Sequence, residues 1–147
     1  MIDDALIPHL RTLLKDLAAQ RVLVLTAGDA ILVATLAAGL PPDGVLFAFE
    51  ADPTLAARSR ALFAEAGVAG KIHVMIGSSD RLLHKVAGPF DLVIAAGGAP
   101  IPAPALTRVR ALLRPEGVLI SHGVPDDGRW DTSGLDAGSG LVKSVKR

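Results

Sequence analysis

Two parts of this chain combine residue types suited to ligand chemistry. One is the small-residue stretch Thr26-Ala27-Gly28-Asp29-Ala30, and the other is the acid Glu50, twenty residues further on. Small residues let a ligand approach the main chain, and the free N–H groups at a helix start attract polar or anionic groups. An acid at the end of the next strand accepts hydrogen bonds from ribose hydroxyls. Together these point to a ligand containing adenosine. The alternative is a unit that merely packs, with Glu50 solvated at a strand end, since a single glycine is a weak motif.

The elements that must hold these residues follow from hydropathy. Arg21-Val22-Leu23-Val24-Leu25 is an apolar run of the kind found in strands buried on both faces. Residues 30–40 read as an apolar helix with Asp29 as N-cap, and Pro41-Pro42-Asp43-Gly44 ends it. A second strand spans 45–49 and is closed by Glu50. Asp52 caps a helix that runs to Ala66, with Pro53 at its first position. Strands at 71–76, 90–95 and 118–121 alternate with a short helix from the Gly77-Ser78-Ser79-Asp80 segment to about Val86 and a helix ending at Leu113. Arg114-Pro115-Glu116-Gly117 reads as a turn.

Upstream, residues 2–20 read as one helix, with Leu6, Leu10, Leu13, Leu14 and Leu17 on a single face and Arg11, Lys15 and Asp16 toward water. This segment is expected to be a cover helix over a domain spanning 21–147, giving one domain overall. Alternation of strands and helices predicts an α/β fold: a doubly wound, mainly parallel sheet in three α/β/α layers. Residues 122–140 are crowded with Gly, Asp, Ser and Thr and read as a long loop, after which 141–145 returns as an edge strand.

Composition bounds the function. The 147 residues carry 15 basic and 15 acidic side chains, for zero formal net charge. Nucleic acid and anionic membranes are therefore not expected partners. Lys143, Lys146 and Arg147 read as a solvated terminus. With no cysteine, thiol nucleophiles, disulfides and zinc fingers fall away. The start, Met-Ile-Asp-Asp, lacks the basic, apolar character of a signal peptide, and the most apolar window is too short to span a bilayer, so a cytoplasmic location is expected. Half of the residues are hydrophobic in a small chain, which raises a homodimer as a further expectation.

In an open α/β sheet the ligand lies beyond the carboxyl ends of the strands, where residues 26–30, 50–51, 77–80 and 95–98 should meet. No lysine stands near Gly28, which excludes a P-loop, and the three-glycine dinucleotide fingerprint is absent. Asp29 would repel a pyrophosphate. An adenosyl group without phosphates meets no such repulsion, and the positive charge of a sulfonium suits Asp29 or Asp80.

From Val22 to about Val124 the chain resembles the class I S-adenosylmethionine-dependent methyltransferases. The likeness is nearest to the small-molecule O-methyltransferases of the catechol and caffeoyl-coenzyme-A type. Phe47-Ala48-Phe49-Glu50-Ala51-Asp52-Pro53 is similar to their second-strand motif, whose acid holds the cofactor ribose. Ala66-Gly67-Val68-Ala69-Gly70-Lys71-Ile72 with Ile76-Gly77-Ser78-Ser79-Asp80 resembles the segment that contacts adenine. Pro89-Phe90-Asp91-Leu92-Val93-Ile94 and Leu112-Leu113-Arg114-Pro115-Glu116-Gly117-Val118-Leu119-Ile120 resemble the fourth and fifth strands. The departures are specific. Of the first-loop glycines only Gly28 stands, and the positions that would supply a divalent metal look like Ala96, His122 and Gly123. Hard cations want oxygen ligands, so no metal is expected. The N-terminal substrate cap is reduced, and the fold looks truncated at its C-terminal end. The segment Ala95-Ala96-Gly97-Gly98-Ala99-Pro100 is closer to the protein-isoaspartate methyltransferases and lacks the Asn-Pro-Pro-Tyr type motif of amino-group methyltransferases.

The resemblance implies S-adenosylmethionine as cofactor, S-adenosylhomocysteine as its product, and metal-free O-methyl transfer to a small molecule. It places Thr26, Ala27 and Gly28 near the methionine part, Glu50 and Ala51 by the ribose, Gly77, Ser78, Ser79 and Asp80 by the adenine, and Ala96 and Gly97 at the methyl group. A general base is not identifiable; His122 is the titratable candidate at a strand's carboxyl end, where a plain loop residue is the commoner finding. The alternative is a non-catalytic module that binds an adenosyl ligand or serves a structural, dimerising role.

Overall fold

A computed structural model describes residues 6–25, 30–95, 101–123, 128–134 and 141–146. In chain order the elements are α1 (Leu6–Asp16), β1 (Arg21–Val24), α2 (Ala30–Ala38), β2 (Val45–Glu50), α3 (Pro53–Glu65), a single 3-10 turn (Ala69–Lys71), β3 (Ile72–Ile76), α4 (Ser79–Leu82), β4 (Phe90–Ala95), α5 (Ala103–Leu112), β5 (Leu113–His122), β6 (Trp130–Gly134) and β7 (Leu141–Lys146). The seven strands form one sheet in the order β3-β2-β1-β4-β5-β7-β6. The first five strands are parallel; β7 runs antiparallel to β5, and β6 antiparallel to β7. The order reverses at β1, which lies between β2 and β4, so the switch point falls at the carboxyl tip of β1.

Alternation along the strands explains the three layers. Val22 and Val24 of β1, Leu92 and Ile94 of β4, and Val118 and Ile120 of β5 face a core with Leu10, Leu13 and Leu14 of α1, Leu32, Val33 and Leu36 of α2, and Phe63 of α3. Leu23, Phe90, Val93 and Leu119 face the other way, onto Leu82 and Leu83 of the α4 segment and Val109 and Leu112 of α5. Strands covered on both faces carry apolar side chains on both, which is why Val22–Val24 of β1 and Leu92–Ala95 of β4 read as hydrophobic runs, with the charged Arg21 and Asp91 confined to their amino ends.

Several local expectations are corrected. The predicted 2–20 helix stops at Asp16. Ala19 N donates to Leu14 O and Ala18 N to Lys15 O, a helix-ending pair that puts Ala18 at φ 48°. The short helix expected to reach Val86 is the single turn of α4. The expected turn at 114–117 exists as a bulge inside β5: Phe90 pairs with Leu113 and Leu92 with Val118, so Asp91 alone faces the four residues between. The long loop expected over 122–140 contains β6. β7 is not the sheet edge, because β6 lies outside it. Despite the truncation expected near the C-terminus, the sheet carries seven strands, β6 and β7 among them. Nor is the basic end simply solvated: Lys146 Nζ donates to Leu113 O at 2.7 Å. Its burial, with the Arg110 guanidinium nearby, holds its amino group below the usual lysine range.

The amino ends of the parallel strands are tied together. Asp91 accepts from Gln20 N (2.7 Å) and Arg21 N (3.0 Å), while its other oxygen lies 2.7 Å from Arg114 Nε. Arg114 also donates to Leu17 O. The Arg21 guanidinium sits 5.0 Å from the Phe90 ring centre and 5.5 Å from that of Phe47, and donates to Ala87 O. Phe47 meets Phe90 edge-on and stacks on His73. Gly88 lies so close to the end of α5 that a Cβ there would stand 2.3 Å from Leu112 O.

Candidate functional site

The carboxyl ends of β1, β2 and β3 converge at the switch point. Glu50 is the last residue of β2, pairs with Ile76 at the end of β3, and is only 7% exposed. A carboxylate is seldom so buried without partners. Its Oε1 accepts from Asp52 N at 3.1 Å, and no other hydrogen bond reaches this carboxylate among the described residues. Asp52 plays two parts. Its N–H orients Glu50, while its own carboxylate caps α3 by accepting from Thr54 N at 2.8 Å, as the sequence predicts. Ala51, between them, is exposed.

Gly77 closes the other wall. Its N–H donates to Glu50 O at 2.9 Å, drawing the β3 exit against the β2 tip. Its φ of +151° is a conformation side chains rarely adopt, and a Cβ would press on Leu82 at 3.3 Å. Ser78 precedes α4 and is exposed, as is Asp80 in its first turn. Ser79 is different: its hydroxyl donates to Leu25 O at 2.9 Å. Leu25 in turn donates from its N–H to Ile94 O at 2.9 Å. Three hydrogen bonds thus stitch the tips of β2, β3, β1 and β4.

Of the residues expected at the site, Glu50, Ala51, Gly77, Ser78, Ser79 and Asp80 come together here. Thr26, Ala27, Gly28, the proposed cap Asp29, and Ala96 and Gly97 lie outside the described residues. His122 is half-buried at the end of β5, paired with Leu141. Neither His122 nor Gly123 offers a carboxylate oxygen, the ligand a hard cation wants. No cluster of three or more His, Cys, Asp or Glu side chains that could hold a metal occurs among the described residues. The backbone of Asp52 and the pairing of Ser79 with Leu25 were not foreseen. A serine one residue into a helix is the only sequence sign of the second, and many roles share that sign.

What this cleft can do is hold a neutral, hydroxyl-bearing group. A buried carboxylate fixed on one oxygen can offer the other as an acceptor for a vicinal diol, and the residues that flank it at the two strand ends, Ala51 and Gly77, are small. An adenosyl group fits that donor and acceptor set.

Comparison with known proteins agrees. Residues 3–97, more than half of the chain, match a family model described as O-methyltransferase. No curated protein sequence matches significantly. Among solved structures, an O-methyltransferase of tomaymycin synthesis from Streptomyces achromogenes, crystallised with S-adenosylmethionine, is 26% identical with a TM-score of 0.77. The match covers 82% of this chain and 56% of that one, so the chain spans little more than half of that enzyme. An O-methyltransferase from Bacillus cereus in complex with S-adenosylhomocysteine (17% identity, TM-score 0.83) is matched over 100% of this chain and 83% of its own. A candidate caffeoyl-CoA O-methyltransferase from Staphylococcus aureus (15% identity, TM-score 0.86) is matched over 100% and 85%. These last two likenesses establish the fold alone.

Proposed function

Because the chain belongs to the O-methyltransferase family, we propose that it binds S-adenosylmethionine across the tips of β1, β2 and β3 and directs its methyl group to an oxygen of a small-molecule acceptor. The observation that carries this reading is Glu50, a nearly buried carboxylate whose one constrained oxygen leaves the other to receive a ribose diol. When bound, the sulfonium supplies an already activated methyl group, so the protein contributes mainly placement. Glu50 would hold the ribose, with Ala51 beside it. Gly77, Ser78 and Asp80 would border the adenine, and Thr26, Ala27 and Gly28 the methionine part, with Ala96 and Gly97 near the methyl group. Residues 21–147 would form the transferase domain and 1–20 its cover.

The transfer is metal-free in this reading, since neither His122 nor Gly123 nor the alanine at position 96 supplies a hard oxygen ligand. The family match favours catalysis over a purely structural module. No helix among the described residues is long and apolar enough to cross a membrane; a cytoplasmic homodimer without nucleic-acid or membrane partners completes the proposal. Sedimentation that reads a monomer at every concentration would remove the dimer.

Calorimetry with S-adenosylhomocysteine tests the core of the reading. The wild-type chain is expected to bind, and Glu50→Ala to lose about 10- to 100-fold in affinity, the range for losing charge-assisted hydrogen bonds. No heat from the wild type at millimolar ligand, or full affinity in Glu50→Ala, would refute it.

A further inference from the structure

We propose that the free edge of β3 is a strand-pairing surface fitted to a second copy of this chain, and that the Arg60 guanidinium keeps it closed. The sheet has two edges, β6 and β3. β6 reads Trp-Asp-Thr-Ser-Gly, and an exposed acid among polar residues protects an edge against stray pairing. β3 reads Ile-His-Val-Met-Ile: it holds no Lys, Asp, Glu or Pro, and Ile76 stands 45% exposed. Zero formal net charge adds no long-range repulsion between copies. Protection of this edge must come from another element.

The register determines which groups the edge offers. In parallel pairing both main-chain groups of one residue point to the same side, and the side alternates along the strand. Gly77 gives its N–H to Glu50 O of β2, so Met75 and His73 face β2 as well, while Ile72, Val74 and Ile76 face outward. The Ile72 N–H is taken locally by Ala69 O. Among the described residues no hydrogen bond reaches the N–H of Val74 or Ile76. This outward set is symmetric about Val74. An antiparallel copy related by a twofold axis would set Val74 against its own counterpart and the exposed Ile76 beside Ile72. Each Val74 N–H would then bond the Val74 carbonyl of the other copy. That carbonyl is the group Arg60 holds: its Nη2 reaches across from α3 and donates to Val74 O at 3.1 Å. One guanidinium on the axis therefore blocks the central bonds, and a second copy would bring a like charge against it.

This inference is independent of the cofactor reading. Sedimentation of Arg60→Ala is expected to show a concentration-dependent doubling of mass over the wild type, whatever dimer the wild type forms through other surfaces. Hydrogen exchange at the Val74 and Ile76 amides of that variant should slow by about tenfold or more as concentration rises. Arg60→Ala combined with Val74→Pro should return to the wild-type mass, because proline removes an outward N–H and leaves the ladder to β2 in place. An Arg60→Ala chain that keeps the wild-type mass at every concentration would overturn the inference. So would association that survives Val74→Pro, since it would use another surface. Concentration-dependent slowing of the two amides in the wild type would overturn it too, by showing the edge already paired. Where Val74→Pro alone fails to fold, exchange in Arg60→Ala decides, and unslowed amides at Val74 and Ile76 refute the pairing.

Discussion

The two ends of the parallel strands are built on opposite terms. At the amino ends, side chains bind side chains and main chain: Asp91 takes three donors, Arg114 answers it from the β5 bulge, and Arg21 lies against two phenyl rings. At the carboxyl ends the links are mostly main chain to main chain, and the one buried acid keeps a single partner among the described residues. The first end consumes its polar groups in holding the sheet, and the second holds its shape with few side chains and leaves a carboxylate for something else. Sites and scaffolds divide in this way because a group satisfied within the fold has little left to offer a ligand.

This contrast is open to direct attack. The largest effect should come from Gly88→Ala at the amino end, where the new Cβ would meet the Leu112 carbonyl at 2.3 Å and force backbone to move. A loss of about 3 kcal/mol in denaturant unfolding is expected, with cofactor-product affinity in the folded fraction unchanged. Next comes Asp91→Ala, which strips the acceptor from Gln20 N and Arg21 N and the partner from Arg114. About 2 kcal/mol of stability should go, read as a lower urea midpoint at constant slope. The smallest effect on stability belongs to Glu50→Ala: its melting temperature should stay near wild type while its ligand affinity collapses. If Asp91→Ala weakened binding as much as Glu50→Ala does, or Glu50→Ala unfolded the chain, the two ends would not be separable and the contrast would fail.

How much of this was legible beforehand depended on how local the cause was. Burial on both faces writes itself into sequence as consecutive Val, Leu and Ile, so β1 and β4 were plain. Asp52 before Pro53 states a helix start within two residues, and Glu50 stands out as an acid closing an apolar run. β6 was hidden because an edge strand rich in Asp, Thr, Ser and Gly carries no apolar alternation, and missing it turned β7 into a false edge. The bulge at 114–117 looked like a turn because Pro115 and Gly117 punctuate both alike; only pairing with β4 tells them apart. The bonds from Ser79 to Leu25 and from Gln20 and Arg21 to Asp91 join residues more than fifty positions apart, a distance over which no pattern within a single segment speaks.

Leu25 has one more consequence. With its N–H given to Ile94 of β4 and its carbonyl taken by the Ser79 hydroxyl of α4, the last described residue beyond β1 spends its one main-chain donor inside the fold, so it has no N–H left to offer a ligand at the tip of that strand.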